Sequence, residues 1–541
     1  MSDAPLVLPL DGHNQRLVDN LHPASWTQPE PAPVYHLVVL GGGAAGLSAA
    51  MRAAALGARV AVVERHLLGG CSLNSGCIPS KALLRAARVV SAARHAADFG
   101  GRGTAEASDF GAAMDRVRRV RAEVSAARSA WRLRDLGIDV FLGEGRFTGS
   151  DALSVADRTL RFRRALVATG TRPSAPDLEG LADIGYLTSD NVFSLTDLPR
   201  RLAIVGGGPL GCELAQSFAR FGSQVTLFLR DHHLLPAEDE ACAAIIHRAL
   251  EADGVRIVTG ARLIAVRRPQ RSKVLHFELD GHQHQLPADE LLVATGRSAN
   301  VQGLGLENAS VAFSPRGIEV DDQLRTANPR IFACGDVASN LRQTHLSEAQ
   351  AKIVVENALF GGRRRVSDLV VPRCTFTHPE LAQVGASEAE LTARGVRFRT
   401  LEVALDEDDR VRVDGAPPGR MKLIYRQGSD RLLGATIVAD HAGETIGELV
   451  VAIQNGIGLA RLAATIHAYP THSTALTRAA EAWENAQAGK WRQRYLSFYF
   501  RRQEKAERRR IASARSAEPP LRDYGAGGAD AGESGAPAPP S

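Results

Sequence analysis

HLVVLGGGAAGLSAA at residues 36–50 and RLAIVGGGPLGCELA at 201–215 are two copies of one pattern. Each runs from an apolar strand through a glycine turn into a helix of small residues, which predicts two dinucleotide-binding folds in one chain. Glycines stand at the first, third and sixth positions of both turns: Gly41, Gly43 and Gly46, then Gly206, Gly208 and Gly211. The first permits the tight turn, the second lets the backbone approach a pyrophosphate, and the third allows helix to pack on strand. The helix N-terminus then offers free N–H groups and its positive dipole end to the phosphates. One such turn has a purely structural glycine turn as its rival; two, each between a strand and a helix, favour nucleotide binding.

The strand after each turn should end near an acid that takes the ribose hydroxyls, about 20 residues on. Equal counting lands on Glu64 in ARVAVVERH and on Leu229 in SQVTLFLRD. Glu64 suits a free ribose diol. At the second site a leucine followed by Arg230 removes the acid and supplies a cation, the arrangement that accommodates a 2′-phosphate and favours NADPH. His232 and His233 are the other nearby candidates for that phosphate, and a merely solvated Arg230 is the alternative reading. Two more strands end in Ala-Thr-Gly, RRALVATGTRP at 163–173 and ELLVATGRSAN at 290–300, where Gly170 and Gly296 let the chain pass close to a nucleotide. RIFACGDVAS at 330–339 puts Asp336 on a small-residue turn.

A length of 541 residues implies about three domains. Shares of 44% hydrophobic and 23% charged residues exclude wholesale disorder. With 65 Lys and Arg against 60 Asp and Glu, the formal charge of +5 gives no nucleic-acid footprint. There is no apolar run of about 18 residues and no basic-then-apolar leader, so a cytoplasmic protein is expected. Six cysteines are too sparse for a disulfide scaffold, and only Cys71 and Cys77 are close in sequence. From about residue 367, strands (MKLIY, LLGATIVA) and an amphipathic helix (ETIGELVVAIQNGIG) predict a separate α+β domain, and after about 511 the Ala, Gly, Pro and Ser composition predicts disorder. Between them, in WRQRYLSFYFRRQEKAERRR, Trp491, Tyr495, Phe498 and Tyr499 recur at i, i+4, i+7 and i+8 beside Arg494, Arg501, Arg502 and Lys505. Such a basic amphipathic helix over 491–510 suits an anionic membrane surface; packing of the aromatics on a dimer is the other reading.

GGCSLNSGCIPSKALL at 69–84 resembles the active-site helix of the flavin-dependent pyridine nucleotide–disulfide oxidoreductases, the family of dihydrolipoyl dehydrogenase, glutathione reductase and mercuric reductase. The two glycine turns, both Ala-Thr-Gly strands, the Cys-Gly-Asp turn and IHAYPTHST at 466–474 recur in the same order, and DGHNQRLVDNLHPASW further resembles the mercuric-reductase-like branch. The resemblance implies an α/β fold with two Rossmann-like domains, for FAD and NAD(P), and a C-terminal α+β dimerisation domain. Its expected divisions are an N-terminal extension (1–34), the FAD domain (35–185 and 300–366), the NAD(P) domain (186–299), the dimerisation domain (367–490) and the tail (491–541). It implies a homodimer in which Gly41, Gly43, Gly46, Glu64, Gly170 and Asp336 hold FAD. Lys81 would sit beside the flavin, paired with Glu213, while Gly206, Gly208, Gly211, Arg230 and Gly296 would hold the nicotinamide nucleotide. Cys77 and His467 would serve the acceptor side, His467 reaching the partner's flavin. An exposed helix lysine and a structural interface histidine are the other readings of Lys81 and His467.

The departures from the family pattern lie on that acceptor side. Alignment on Cys77 places Ser72 at the family's first cysteine, with Cys71 one place early. Thr474 stands where His-x-x-Pro-Thr-x-x-Glu carries its carboxylate, so His467 is expected to lack an orienting partner. No cysteine follows Cys374 and no Cys-x-x-Cys precedes the flavin domain, which argues against mercury reduction. Residues six apart on a regular helix rise about 9 Å, whereas a disulfide spans no more than about 7 Å between Cα atoms. Cys71 and Cys77 are therefore expected to remain unbridged unless the first turn is unwound, leaving Cys77 a lone thiol that Lys81 favours as thiolate. The expected activity is oxidation of NAD(P)H, NADPH favoured, through FAD to a small-molecule acceptor: a quinone, dioxygen or a second nicotinamide nucleotide. A disulfide reductase using Cys71 and Cys77, and a redox sensor without turnover, are the alternatives. No metal is expected.

Overall fold

The computed structural model describes residues 5–101, 108–269, 272–487 and 490–516. Two compact units divide at Ala480. In the first, the initial glycine-turn strand Tyr35–Leu40 is the middle of a parallel arrangement, paired on one side with Val60–Glu64 and on the other with Arg158–Val167. Ile138–Leu142 extends the sheet beyond Val60–Glu64, and Ile331–Ala333 returns from far along the chain to pair with Arg158–Val167. Val60–Glu64, Ile331–Ala333 and most of Tyr35–Leu40 read as apolar runs because both faces are covered there, whereas Arg158–Val167 alternates over its first half and is continuously buried only at Ala165–Val167. Helix Ala44–Ala55 packs on one face, with Ala49, Ala50 and Ala53 fully buried.

The second copy repeats the plan. Arg256–Val258, Gln224–Phe228, Arg201–Val205 and Glu290–Val293 form a four-stranded parallel sheet in that order. Helix Pro209–Phe221 follows its glycine turn and is buried along nearly its whole length. An antiparallel meander, Arg262–Arg267, Lys273–Leu279 and His282–Ala288, adjoins it in sequence.

A five-stranded antiparallel sheet closes the first unit, in the order Arg373–Thr375, Glu380–Gly385, Leu432–Ala439, Arg420–Arg426 and Phe398–Ala404. Helix Ala442–Gln454 packs against its central strands, burying Ile446 and Leu449. The strands expected at MKLIY and LLGATIVA are present, and the helix expected at ETIGELVVAIQNGIG forms as Ala442–Gln454, ending before its Asn-Gly-Ile-Gly.

In the second unit, helix Lys490–Ser516 carries Tyr495, Leu496, Phe498, Tyr499 and Phe500 exposed. It runs five residues past the point where disorder was expected, because Glu507, four arginines and two alanines make up most of ERRRIASARS and favour helix. The remainder of that expectation lies outside the described residues. Among the described residues no helix is long and apolar enough to cross a membrane.

Candidate active site

The two glycine turns match closely in geometry. Gly41 and Gly206 have φ of +108° and +117°, and a Cβ on either would lie 2.4 Å from a carbonyl oxygen, that of Ala168 and of Ala294 respectively. Those carbonyls belong to the two Ala-Thr-Gly segments, which explains why the echoes come in pairs. A Cβ on Gly46 or Gly211 would sit 1.9 Å from the oxygen of Gly41 or Gly206. Glycine is therefore required at these places by close backbone approach. Both following helices are capped by glycine, Gly43 and Gly208, with no side chain bonded to the first-turn amides. Those amides are free for phosphate oxygens.

The acid positions differ as expected. Glu64 Oε2 accepts from the Gly42 amide at 2.7 Å and Oε1 from that of His66 at 2.8 Å, which fixes the carboxylate in a cavity of about 260 Å³ that Gly41, Thr169 and Arg172 also line. Leu229 is 2% exposed and packs against Gly207. Beside it opens a larger cavity, about 740 Å³, lined by the second glycine turn, Arg230, His233, Arg262, Gly296 and Arg297. Arg230 is 92% exposed, and His232 does not line the cavity. Arg262, from the meander's first strand, is a second cation there; it is paired with Glu278, and nothing in the local sequence marked it.

Between the two nucleotide sites, Thr171 donates to Asp336 Oδ2 at 3.1 Å and accepts from Arg297 Nε at 2.7 Å. Asp336 lies on a short 3-10 turn, Gly335–Val337. Lys81 Nζ donates to both oxygens of Glu213, at 2.8 and 3.0 Å, and lies 4.6 Å from the centre of the Phe376 ring. The Phe376 amide also donates to Glu213, at 2.9 Å, so this buried carboxylate is fully engaged. Lys81 is accordingly tied to Glu213 and Phe376.

The cysteine segment is not the single regular helix expected. Cys71 lies in helix Gly70–Asn74, the chain breaks at Ser75-Gly76, and Cys77 opens a new helix, Cys77–Arg94. The rise argument against a bridge therefore does not apply, although both thiols are free. Ser72 is buried, its hydroxyl donating to the Gly69 carbonyl at 3.3 Å. Cys71 is open to water yet crowded by protein, and that desolvation pushes its thiol up to about 11. The sulfur of Cys77 lies 3.4 Å from the Thr344 hydroxyl.

His467 needs a correction. Its Nε2 lies 2.9 Å from Glu448 and its Nδ1 2.7 Å from the Thr477 hydroxyl, so the ring does have an orienting carboxylate, supplied by helix Ala442–Gln454. Both nitrogens are thus occupied within one chain and the side chain is nearly buried, while the flanking Ile466 and Tyr469 are exposed. Tyr469 donates to Asp409 at 2.8 Å.

Residues 35–351 match the model of the pyridine nucleotide-disulphide oxidoreductases, and residues 371–480 that of their dimerisation domain. The chain belongs to this family. Mercuric reductase of Streptomyces lividans is 36% identical over 456 residues, covering 83% of this chain and 96% of the relative. Dihydrolipoyl dehydrogenase of Thermus scotoductus is 34% identical over 458 residues, covering 83% and 97%. Among solved structures, the HOCl-induced flavoprotein disulfide reductase RclA from Escherichia coli aligns with a TM-score of 0.75 at 29% identity, over 83% of this chain and 99% of that one. This pyridine nucleotide-disulphide oxidoreductase is therefore a flavoprotein enzyme that uses FAD and NAD(P)H. Its dimerisation domain supports a homodimer.

Proposed function

We propose that this family member is an NADPH oxidase or reductase with a single reacting thiol, Cys77, whose acceptor is not a disulfide. The observation that carries the reading is Ser72, buried and hydrogen-bonded where the family pattern has its first cysteine. A hydroxyl there cannot exchange with a substrate disulfide. Cys71, held as a thiol at neutral pH, is a poor replacement nucleophile. FAD, when bound, supplies the two-electron chemistry. Around it the chain's own residues fix the geometry: Lys81 held by Glu213 places a cation, and Thr171, itself held by Arg297, holds Asp336. The preference for NADPH is supported by Leu229 in the acid position with Arg230 and Arg262 at the same cavity. The remaining acceptors are a quinone, dioxygen or a second nicotinamide nucleotide.

A second reading keeps disulfide chemistry between Cys71 and Cys77, and the break at Ser75-Gly76 favours it by freeing the two cysteines from one rigid helix. Steady-state NADPH oxidation against a quinone, dioxygen, an oxidised nicotinamide analogue, Hg(II) and a small dithiol-reducible disulfide separates the two. Turnover with one of the first three and none with the disulfide is the expected result; efficient disulfide turnover overturns it.

We also propose a peripheral contact between the helix Lys490–Ser516 and an anionic membrane surface. Supporting it are the exposed Tyr495, Leu496, Phe498, Tyr499 and Phe500, in a helix with ten Lys and Arg against two Glu.

A further inference from the structure

The segment DGHNQRLVDNLHPASW precedes the residues matched by the family, and nothing derived so far gives it a role. It folds as helix Gly12–Leu21, capped by Asp11, whose carboxylate accepts from the Asn14 amide at 2.8 Å. Leu17 and Leu21 are fully buried, and the helix packs against Phe110–Ser125. Two arginines of that second helix are buried in the contact, Arg118 at 7% and Arg121 at 6% exposure. Arginine is rarely so buried without specific partners. Arg118 Nε donates to Asp11 Oδ2 at 2.5 Å, which accounts for the first.

The second points at the active site. Arg121 Nη2 donates to Asn14 Oδ1 at 2.5 Å, and Nη1 donates to the backbone carbonyl of Asn74 at 2.9 Å. Burial and the neighbouring Arg118 lower its pKa to about 10, so it remains a cation at neutral pH. Asn14 is itself fixed, its amide nitrogen donating to the Pro9 carbonyl at 2.8 Å. Asn74 ends the helix that carries Cys71, and its side chain donates to the carbonyls of Leu68 and Gly70 at 3.1 and 3.0 Å. Its own carbonyl is one of the helix-terminal acceptors left without an intrahelical donor. Only Ser75 and Gly76 separate it from Cys77. That link is tight: a Cβ on Gly76 would lie 2.9 Å from the Cys71 carbonyl oxygen.

We propose that the N-terminal helix is a working part of the active site: through Arg121 it holds the Asn74–Gly76 turn, making Asn14 and Arg121 positioning residues for Cys77. A planar guanidinium bridges two acceptors in fixed directions, which a lysine ammonium on a flexible stem does not reproduce. Loss of the bridge frees the turn, and Cys77 then loses its fixed position beside Thr344. The proposal rests on Cys77 as the reacting thiol.

The test is the rate of Cys77 alkylation by iodoacetamide in the FAD-loaded enzyme across pH 6–9, read on the Cys77 peptide by mass spectrometry. Arg121→Met and Asn14→Leu are each expected to change that rate fivefold or more at one pH, and Arg121→Lys to do so at least twofold. Asn14→Asp, which keeps an acceptor for Arg121, is expected to stay within twofold of wild type. Rates within twofold of wild type in both Arg121→Met and Asn14→Leu overturn the proposal, whatever happens to the melting temperature, because a merely structural clamp moves stability alone. Should Arg121→Met fail to fold, Asn14→Leu with its Asn14→Asp rescue decides. Cys77→Ala enzyme that retains full NADPH turnover would instead refute the reading of Cys77 and leave the alkylation result for the turn intact.

Discussion

Replacing Leu229 by Glu tests whether the second nucleotide fold selects a 2′-phosphate, and the first fold supplies the template. There Glu64 accepts from the Gly42 amide at 2.7 Å; Gly207 stands at the same place in the second turn, and a Cβ on it would lie 2.0 Å from Leu229 Cδ2. A carboxylate introduced at Leu229 thus reaches the Gly207 amide and the ribose hydroxyls. At about 6 Å from a phosphate charge and an effective dielectric of about 20, repulsion is about 3 kcal/mol per unit charge. Accepting from a ribose diol contributes about 1.5–3 kcal/mol in favour of NADH. The cavity is open and Arg230 and Arg262 offset part of the new charge, so roughly half of the sum survives. That leaves about 2–3 kcal/mol, a swing of about 30- to 150-fold. The assay is the ratio of kcat/KM for NADPH to that for NADH with one acceptor. Lost packing of Leu229 weakens both nucleotides alike and cancels in the ratio. A ratio that moves less than threefold, or a wild-type enzyme that already prefers NADH tenfold, refutes the reasoning.

Glu213→Gln should lower the urea midpoint of the FAD-loaded enzyme by an amount equivalent to about 2 kcal/mol, since it removes the charge that holds Lys81; the loss is smaller than for a fully buried pair because Lys81 is 35% exposed. An unchanged midpoint would show that the pair contributes nothing net. With its thiol at about 11, Cys71 should be alkylated about tenfold faster per pH unit from 8 to 10, and Cys71→Ser should keep NADPH oxidation within twofold. A mapped Cys71–Cys77 disulfide that NADPH reduces, with activity lost in Cys71→Ser, would reinstate the disulfide reading. Full-length enzyme should float with anionic vesicles at low salt and not with neutral ones, and Phe498→Glu should abolish it; flotation unaffected by that change would remove the helix from the contact.

The nucleotide sites were legible because their requirements are local. A glycine with φ of +108° or +117° and a backbone oxygen 2.4 Å from its missing Cβ leaves a mark in sequence that a single stretch displays. The acid position is readable by counting for the same reason. Lys81 and Glu213 are 132 residues apart, and only the family resemblance joined them. His467 shows the limit: its partners Glu448 and Thr477 come from two different helices, and the empty position at Thr474 suggested that no carboxylate was present. The break between the two cysteine helices was within reach, since Ser-Gly is a turn dipeptide, but the resemblance to an active-site helix outweighed it. Arg262 and Arg121 were hidden for a further reason: an arginine in sequence does not show whether it is solvated or enclosed.

The division between what conforms and what departs has a physical cause. Electron entry is built from backbone: glycine turns, helix N-termini and carbonyls in close approach, where almost any substitution collides with main chain and displaces a whole strand–helix unit. In the proposed reading electron exit falls to side chains at helix ends and loops, Cys71, Ser72, Cys77, Thr344 and the His467 loop, where one residue changes the chemistry and leaves the sheets untouched. A fold of this kind therefore takes new acceptors without altering how it receives hydride, and function must be argued from the exit side. In that reading this chain has a hydroxyl at Ser72 in place of a thiol, holds His467 on Glu448, and secures the cysteine turn through Arg121, which Asn14 engages from outside the residues matched by the family. The first removes one sulfur of a dithiol and the third restrains the segment that bears the other. A thiol–disulfide cycle needs two sulfurs and freedom for one of them to swing between partners, whereas transfer to a quinone, dioxygen or nicotinamide needs one rigid face.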